Sequence, residues 1–163
     1  MVQVVLILDN IRSSHNVGSI LRTCDSSGVS RVIMTGITPY PRLLNDSRDP
    51  VVSANNSRKI AKTSLGAEQT IQIEYISSTA EAVSKMKNEG RTIYGLEIAP
   101  RAVNLLKFEP NPHCALIVGN EVDGLNNHTL GACDEVLMIP QRGSKESLNV
   151  SVATGIALYH LLK

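Results

Sequence analysis

Apolar and polar positions alternate in blocks along the chain, and the blocks predict strands separated by helices. Val4–Leu8 is a short continuous apolar run, the pattern of a strand buried on both faces. After a polar turn, Val17, Ile20, Leu21 and Cys24 recur at helical spacing. They predict a helix from Asn16 to about Ser27, closed by Gly28 and with Asn16 placed to cap its first amides. Arg31–Thr35 reads as the next strand. Residues 36–50, rich in Pro, Asn and Asp, read as a loop too polar to pack. A polar helix over 53–62, a strand over 70–76 and a helix capped by Ser78 or Thr79 and reaching Asn88 follow. Strands over 91–98 and 114–118, a short helix near 127–133, a strand over 135–139 and a last helix over 149–162 complete the pattern. Strands separated by helices imply an α/β fold, a mostly parallel sheet with helices on both faces. In such sheets ligands sit at the carboxyl ends of the strands, so the loops leaving the strands carry the chemistry.

Composition narrows the function classes. The 163 residues are 42% hydrophobic and 19% charged, which fits one globular domain and excludes a disordered chain. No run approaches the roughly 18 apolar residues of a spanning helix, and the first apolar run lacks the basic leader of a signal peptide. Three widely spaced cysteines fit a reducing cytoplasm better than a disulfide scaffold, and the scattered Cys and His lack metal-ligand spacing. The net charge of +1 argues for no partner, but residues 1–62 hold eight Lys/Arg against four Asp/Glu. That asymmetry is consistent with chance and also with a polyanion meeting the front half. Aromatics at 3%, with no Trp, weigh against an RRM-like module that stacks single-stranded bases.

Three loops stand out. The first, 9–23, leaves a buried strand and enters a helix, with Asn16, Ser13 and Ser14 at the turn and Arg12 and Arg22 nearby. Such a helix start suits a phosphate or another anion, though two solvated arginines and a simple cap explain it as well. The second, 115–125, is an apolar strand running into a turn bounded by Gly119 and Gly124 and carrying Glu121 and Asp123. It is neither a P-loop, since Leu125 and Asn126 follow Gly124, nor a GxGxxG loop. Its acids repel phosphate and tolerate a cationic or hydroxyl-bearing ligand, and a plain strand-to-helix turn fits equally well. The third, 136–153, ends a strand at Ile139-Pro140, crosses a polar loop and enters an apolar helix through Ser147-Leu148-Asn149. There Leu148 either marks a helix entry or packs on a ligand ring, and Ser147 or Asn149 serves as cap.

Taken together, the loops resemble the three ordered motifs of the SpoU (TrmH-like) branch of the SPOUT RNA methyltransferases. N-x-G-x-I-x-R-T corresponds to Asn16, Gly18, Ile20, Arg22 and Thr23. G-N-E-x-x-G-L corresponds to Gly119, Asn120, Glu121, Gly124 and Leu125, and I-P-x-x-G-x-x-x-S-L-N-V-S-V-A to Ile139 through Ala153. Residues 62–67 resemble a further segment common in the branch. Gln141 departs from it, standing where many members carry Met. The resemblance covers nearly the whole chain, so residues 1–163 are expected to form a single catalytic domain, without the N-terminal RNA-recognition domain of many relatives.

The resemblance implies transfer of a methyl group from S-adenosylmethionine to a ribose 2′-hydroxyl of tRNA or rRNA. It implies a cytoplasmic homodimer with a deep C-terminal trefoil knot, needing no metal and no membrane. Arg22 matches the family arginine proposed to activate the hydroxyl; a permanently protonated guanidinium suits holding phosphate and stabilising alkoxide charge better than acting as base. Asn16, Glu121 and Asn149 are the residues expected to position Arg22, the ribose or the cofactor. Leu96, Gly119, Ile139, Ser147 and Leu148 are expected to contact the cofactor. Arg12, Arg42, Arg48, Arg58 and Lys59 are the candidate RNA phosphate contacts. Val150, Val152, Ile156, Leu158 and Leu161 of the last helix are either dimer interface or core. The rival reading is a non-catalytic RNA-binding or assembly dimer that has kept the fold; a Rossmann-type enzyme, lacking the glycine fingerprint, comes third.

Overall fold

The opening apolar run forms β1 (Gln3–Asp9), buried from Val4 onward. The structure, a computed structural model, describes residues 2–163. After β1 come α1 (Ser14–Ser27), β2 (Arg31–Thr35), α2 (Pro50–Ser64), β3 (Gln72–Ile76), α3 (Thr79–Asn88) and β4 (Thr92–Leu96). They are followed by β5 (Val103–Asn104), β6 (His113–Val118), α4 (Asn127–Ala132), β7 (Glu135–Met138) and α5 (Val150–Leu161). The strands form one sheet in the order β3-β2-β1-β6-β4-β7-β5, and each pairing in it is parallel.

A strand buried on both faces sends alternate side chains to two cores. Val4, Leu6 and Leu8 join Ile20, Leu21 and Cys24 of α1, Ile60 of α2 and Leu158 and Leu161 of α5 in one cluster. Val5 and Ile7 join Ala82, Val83 and Met86 of α3 and Cys133 beyond α4 in the other. Burying each large aliphatic side chain contributes about 1.5–3 kcal/mol, so this alternation holds the helices to their faces.

Several local expectations are corrected. Ser13, not Asn16, caps α1, its Oγ accepting the Asn16 N–H at 3.3 Å. Both residue types cap well; the Asn16 side chain is taken by tertiary bonds to Glu121 and Asn149. Helix α2 begins three residues earlier than the apolar pattern predicts, because Asp49 caps it and Pro50 occupies its first turn, where a missing N–H costs nothing. A 3₁₀ turn at Ala67–Gln69 delays β3 to Gln72. The loop before α2 does pack: Pro41 is buried, and Arg48 reaches Asp46 at 2.5 Å and the carbonyls of Tyr40 and Pro41 at 2.9 and 3.0 Å. Two-residue β5 is an added element.

Of the last helix, Leu158 and Leu161 belong to the core, Val150 packs partly against it, and Val152 (51% exposed) and Ile156 (37%) face outward. Helix α1 crosses α2 at Gly18, where a Cβ would overlap the Ile60 carbonyl oxygen and Thr63 Oγ1. The in-register pairs Leu8↔Val118, Leu96↔Val118 and Leu96↔Leu137 bring the carboxyl ends of β1, β6, β4 and β7 to one edge. The three loops singled out by sequence therefore leave the sheet side by side.

Candidate functional site

The turn after β6 is set by two glycines and an asparagine. Gly124 adopts φ 64°, and a Cβ on Gly119 would overlap the Gly124 backbone, so the chain folds back on itself tightly. Asn120 Oδ1 accepts the Val122 and Asp123 N–H groups at 2.9 and 2.8 Å. This geometry projects Glu121 toward the start of α1. Its Oε2 accepts the Arg12 N–H at 3.0 Å, and its Oε1 accepts the Ser13 N–H at 3.1 Å and Asn16 Nδ2 at 2.8 Å. Partial burial pushes the Glu121 carboxyl up, but the donors from Arg12, Asn16 and Ser13 prevail and hold its pKa below the ordinary glutamate value.

Asn16 carries the connection onward. Its Oδ1 accepts Asn149 Nδ2 at 3.2 Å, while Asn149 Oδ1 caps α5 through the Ser151 N–H at 2.9 Å and also accepts Ser151 Oγ at 2.6 Å. Asn149, not Ser147, is thus the cap of α5. One amide side chain joins all three loops.

Beside this junction lies a cavity of about 390 Å³, inside the roughly 300–1,000 Å³ range of small-molecule sites. Leu96, Gly119, Ile139, Ser147 and Leu148, the five residues expected to touch a cofactor, all line it, with Glu121 and Asn149. The sequence reading missed Glu97, which lines it too. Glu97 Oε2 accepts the Leu125 N–H and Oε1 the Ile98 N–H, both at 2.8 Å, and its own N–H donates to Leu137 O at 3.0 Å. That one residue ties the ends of β4 and β7 to the glycine turn. The available signal was a single acid at the end of an apolar strand, between Leu96 and Ile98. Asp9, 3% exposed, is the corresponding buried acid at the end of β1, bonded by Thr79 Oγ1 at 2.6 Å and Asn10 Nδ2 at 2.7 Å.

The sequence profile of the SpoU rRNA Methylase family matches residues 3–159. The chain belongs to that family. This SpoU chain is 33% identical over 159 residues to a protein named 23S rRNA (guanosine-2′-O-)-methyltransferase RlmB from Xanthomonas axonopodis pv. citri, covering 98% of the chain and 58% of the relative. It thus spans little more than half the length of such relatives. Among solved structures it is similar to an AdoMet-bound rRNA methyltransferase from Sinorhizobium meliloti (TM-score 0.78, 26% identity, 97% of this chain and 55% of that one). It is also similar to an A. aeolicus TrmH/SpoU tRNA modifying enzyme (TM-score 0.80, 26% identity, 99% and 75%).

The remaining predicted residues of the SpoU chain lie elsewhere. Arg22 stands exposed on α1 and does not line the cavity. Arg12 is exposed, with Asp123 4.0 Å away, and Lys59 and Arg58 are exposed on α2, Arg58 donating to Asn55 Oδ1. Arg42 is exposed, and its main-chain N–H donates to Ser57 Oγ at 2.8 Å. Arg48 is put to a different use than a phosphate contact. Its guanidinium is committed to Asp46 and two carbonyls, and it lies 3.4 Å over the Tyr40 ring. Among the described residues no group of three or more His, Cys, Asp or Glu is placed to hold a metal ion, and no helix is long and apolar enough to cross a membrane.

Proposed function

We propose that this protein is an S-adenosylmethionine-dependent methyltransferase acting on a ribose 2′-hydroxyl of tRNA or rRNA. The observation that carries the reading is the junction at Asn16, which gathers Glu121 and Asn149 beside a cavity lined by Leu96, Gly119, Ile139, Ser147 and Leu148. The lining fits a nucleoside bearing a cationic centre. It offers apolar faces for a purine, exposed backbone at the tight Gly119–Gly124 turn, and the acids Glu97 and Glu121. When bound, S-adenosylmethionine supplies an electrophilic methyl group.

The chain's own residues then divide the work. Ile139, Leu148 and Leu96 would hold the base, and Ser147 and the backbone at Gly119 would supply polar contacts to it. Glu121 is a clamp and not a proton acceptor, because its carboxylate already receives three donors and is held in its ionised form. Arg22 binds the phosphate beside the target ribose and stabilises charge growing on the 2′-oxygen, while a phosphate oxygen takes the proton.

Since Arg22 does not line the cavity of its own chain, it serves the cavity of a second copy in a homodimer. The outward Val152, Ile156 and Tyr159 of α5, beside α1, support that pairing. A C-terminal trefoil knot is part of the proposal. It is supported by the placement of β7 between β4 and β5, with the chain returning to pack α5 on α1. The protein is proposed to act in the cytoplasm, without metal or membrane.

The test is transfer of tritium from methyl-labelled S-adenosylmethionine into bulk tRNA and rRNA. Label is expected in alkali-resistant dinucleotides, since a 2′-O-methyl group blocks alkaline cleavage. Arg22→Ala is expected to abolish transfer and leave calorimetric cofactor binding within twofold. No incorporation by the wild type, or incorporation into base methyl groups, refutes the reading.

A further inference from the structure

A second cavity, of about 570 Å³, is lined by Arg12 and Ser14 at the start of α1, with residues of the loop after β2, of α2 and of β3. One hydrogen bond links the two: Arg12 lines the second, and its N–H is held by Glu121, which lines the first. Their chemistry is opposed. The first cavity carries Glu97 and Glu121; the second carries Arg12, Arg48 and Lys59 and has no carboxylate among its lining residues. Two of the chain's four tyrosines meet there. Tyr40 and Tyr75 stack with centroids 4.5 Å apart and planes 20° apart, and Arg48 covers the other face of Tyr40 at 3.4 Å. The stack is fixed at both ends, by the Arg48–Asp46 pair and by Tyr75 Oη donating to Gly36 O at 3.1 Å. Tyr40 is therefore saturated, and Tyr75, 37% exposed, ends the stack toward solvent.

A pre-ordered ring at the end of a column, with the exposed side chains of Arg12 and Lys59 lining the same cleft, is a platform for one unpaired nucleotide. We propose that this cleft holds a single-stranded nucleotide of the substrate RNA next to the methylated one, its base on Tyr75 and its phosphate between Arg12 and Lys59. The assignment rests on the methyltransferase reading for the identity of the RNA, but the cleft is tested without it. Arg48 acts here as the support of the platform. Polar Ser47 and Asn56 on the rim supply hydrogen bonds without fixing one base, so the cleft orders the strand more than it reads sequence.

The experiment uses fluorescein-labelled single-stranded hexaribonucleotides and the full chain, read by anisotropy. Tyr75→Leu is expected to weaken binding at least fivefold, the lower end of the roughly 5- to 150-fold attached to one base stack. Tyr75→Phe keeps the ring, loses only the bond to Gly36 and should bind within twofold of wild type. Lys59→Ala should weaken binding and make the slope of log affinity against log salt shallower by about 0.7. Lys107→Ala, on another face, serves as control. Hexamers carrying 4-thiouridine should crosslink to the tryptic peptide 63–85, which contains Tyr75. Equal affinity for wild type and Tyr75→Leu, crosslinks only elsewhere, or no hexamer binding by the wild type overturns the assignment. Cofactor calorimetry on the same samples keeps the readings apart. Cofactor binding with unchanged hexamer affinity in Tyr75→Leu sinks the cleft alone. Hexamer binding that depends on Tyr75, without cofactor binding, sinks the methyltransferase reading alone.

Discussion

Substituting Gly18 by alanine tests whether the helix crossing beneath the site is as tight as the structure shows. Two effects oppose each other. Alanine in a helix interior is favoured over glycine by about 0.5–1 kcal/mol. Against that, the new methyl would overlap the Ile60 carbonyl oxygen and Thr63 Oγ1, with Ser64 N 3.0 Å away. Thr63 Oγ1 could rotate, though it would give up its 2.9 Å bond to His15 O. The Ile60 carbonyl is helix backbone, so relief requires α2 to slide as a body. Overpacking of this kind costs about 1–3 kcal/mol, and a backbone obstacle puts the cost in the upper half, leaving a net loss of about 2 kcal/mol. For a chain of this size each kcal/mol lowers Tm by about 2–4 °C, so Gly18→Ala should melt about 4–8 °C lower. Gly131→Ala is the matched control in α4, where an added Cβ meets nothing within 4 Å; it should be neutral or slightly stabilising. Because α1 carries Asn16, the shift should also weaken cofactor binding measured well below Tm. A Gly18→Ala protein that melts with or above the wild type would refute the close crossing and the account of why this position is glycine.

Other consequences are open to direct measurement. Glu121 has a folded pKa below its usual value of 4.5, so its contribution is complete above that value and fades as pH falls through the folded one. Glu121→Gln should therefore reduce stability near neutral pH by less than about 1 kcal/mol, since solvent screens an exposed carboxylate, and flatten the acid limb of stability below about pH 4.5, as followed by urea titrations across pH. Burial pushes the Cys24 thiol up to about 12 and those of Cys114 and Cys133 up to about 11, so a disulfide reagent at pH 8 should modify none quickly in the native protein and all three in denaturant. Asn149→Ala should lower α5 stability by about 1 kcal/mol and cut methyl transfer more than it cuts RNA binding, since it removes both a cap and the bond to Asn16. Exposed Val152→Asp should halve the particle mass in sedimentation if α5 pairs two copies, whereas an unchanged mass removes that face from the interface.

The sheet was readable because burial on both faces leaves a local trace. Val4–Leu8, Val32–Met34 and Cys114–Val118 are unbroken apolar runs, and each became a strand. What escaped was set by partners distant in sequence. Val103–Asn104 is a strand only because Leu137 and Met138 of β7 lie beside it, and two residues carry no period. The start of α2 was legible and overlooked, since Asp49-Pro50 is a cap followed by a residue suited to a first turn.

The site divides along the same line. Residues placed by their position on the backbone, such as Gly119 and Leu148, line the cavity because motif spacing encodes position. Residues whose work depends on side-chain partners were found with the wrong partner or not at all. Asn16 looked like a cap, yet Ser13 could do that task three residues earlier, which freed the Asn16 amide to satisfy Glu121 and Asn149 at once. Arg48 looked like free charge, yet Asp46 two residues away and the Tyr40 ring turned it into scaffold. A buried or ordered polar group must find partners, and where several arrangements satisfy it locally the choice is made by whichever loop the sheet brings alongside. Here the sheet order sets β6 between β1 and β4, so the turn bearing Glu121 arrives at the start of α1. Moving that turn by one residue would aim its carboxylate away from three donors, and the junction that joins the loops would come apart.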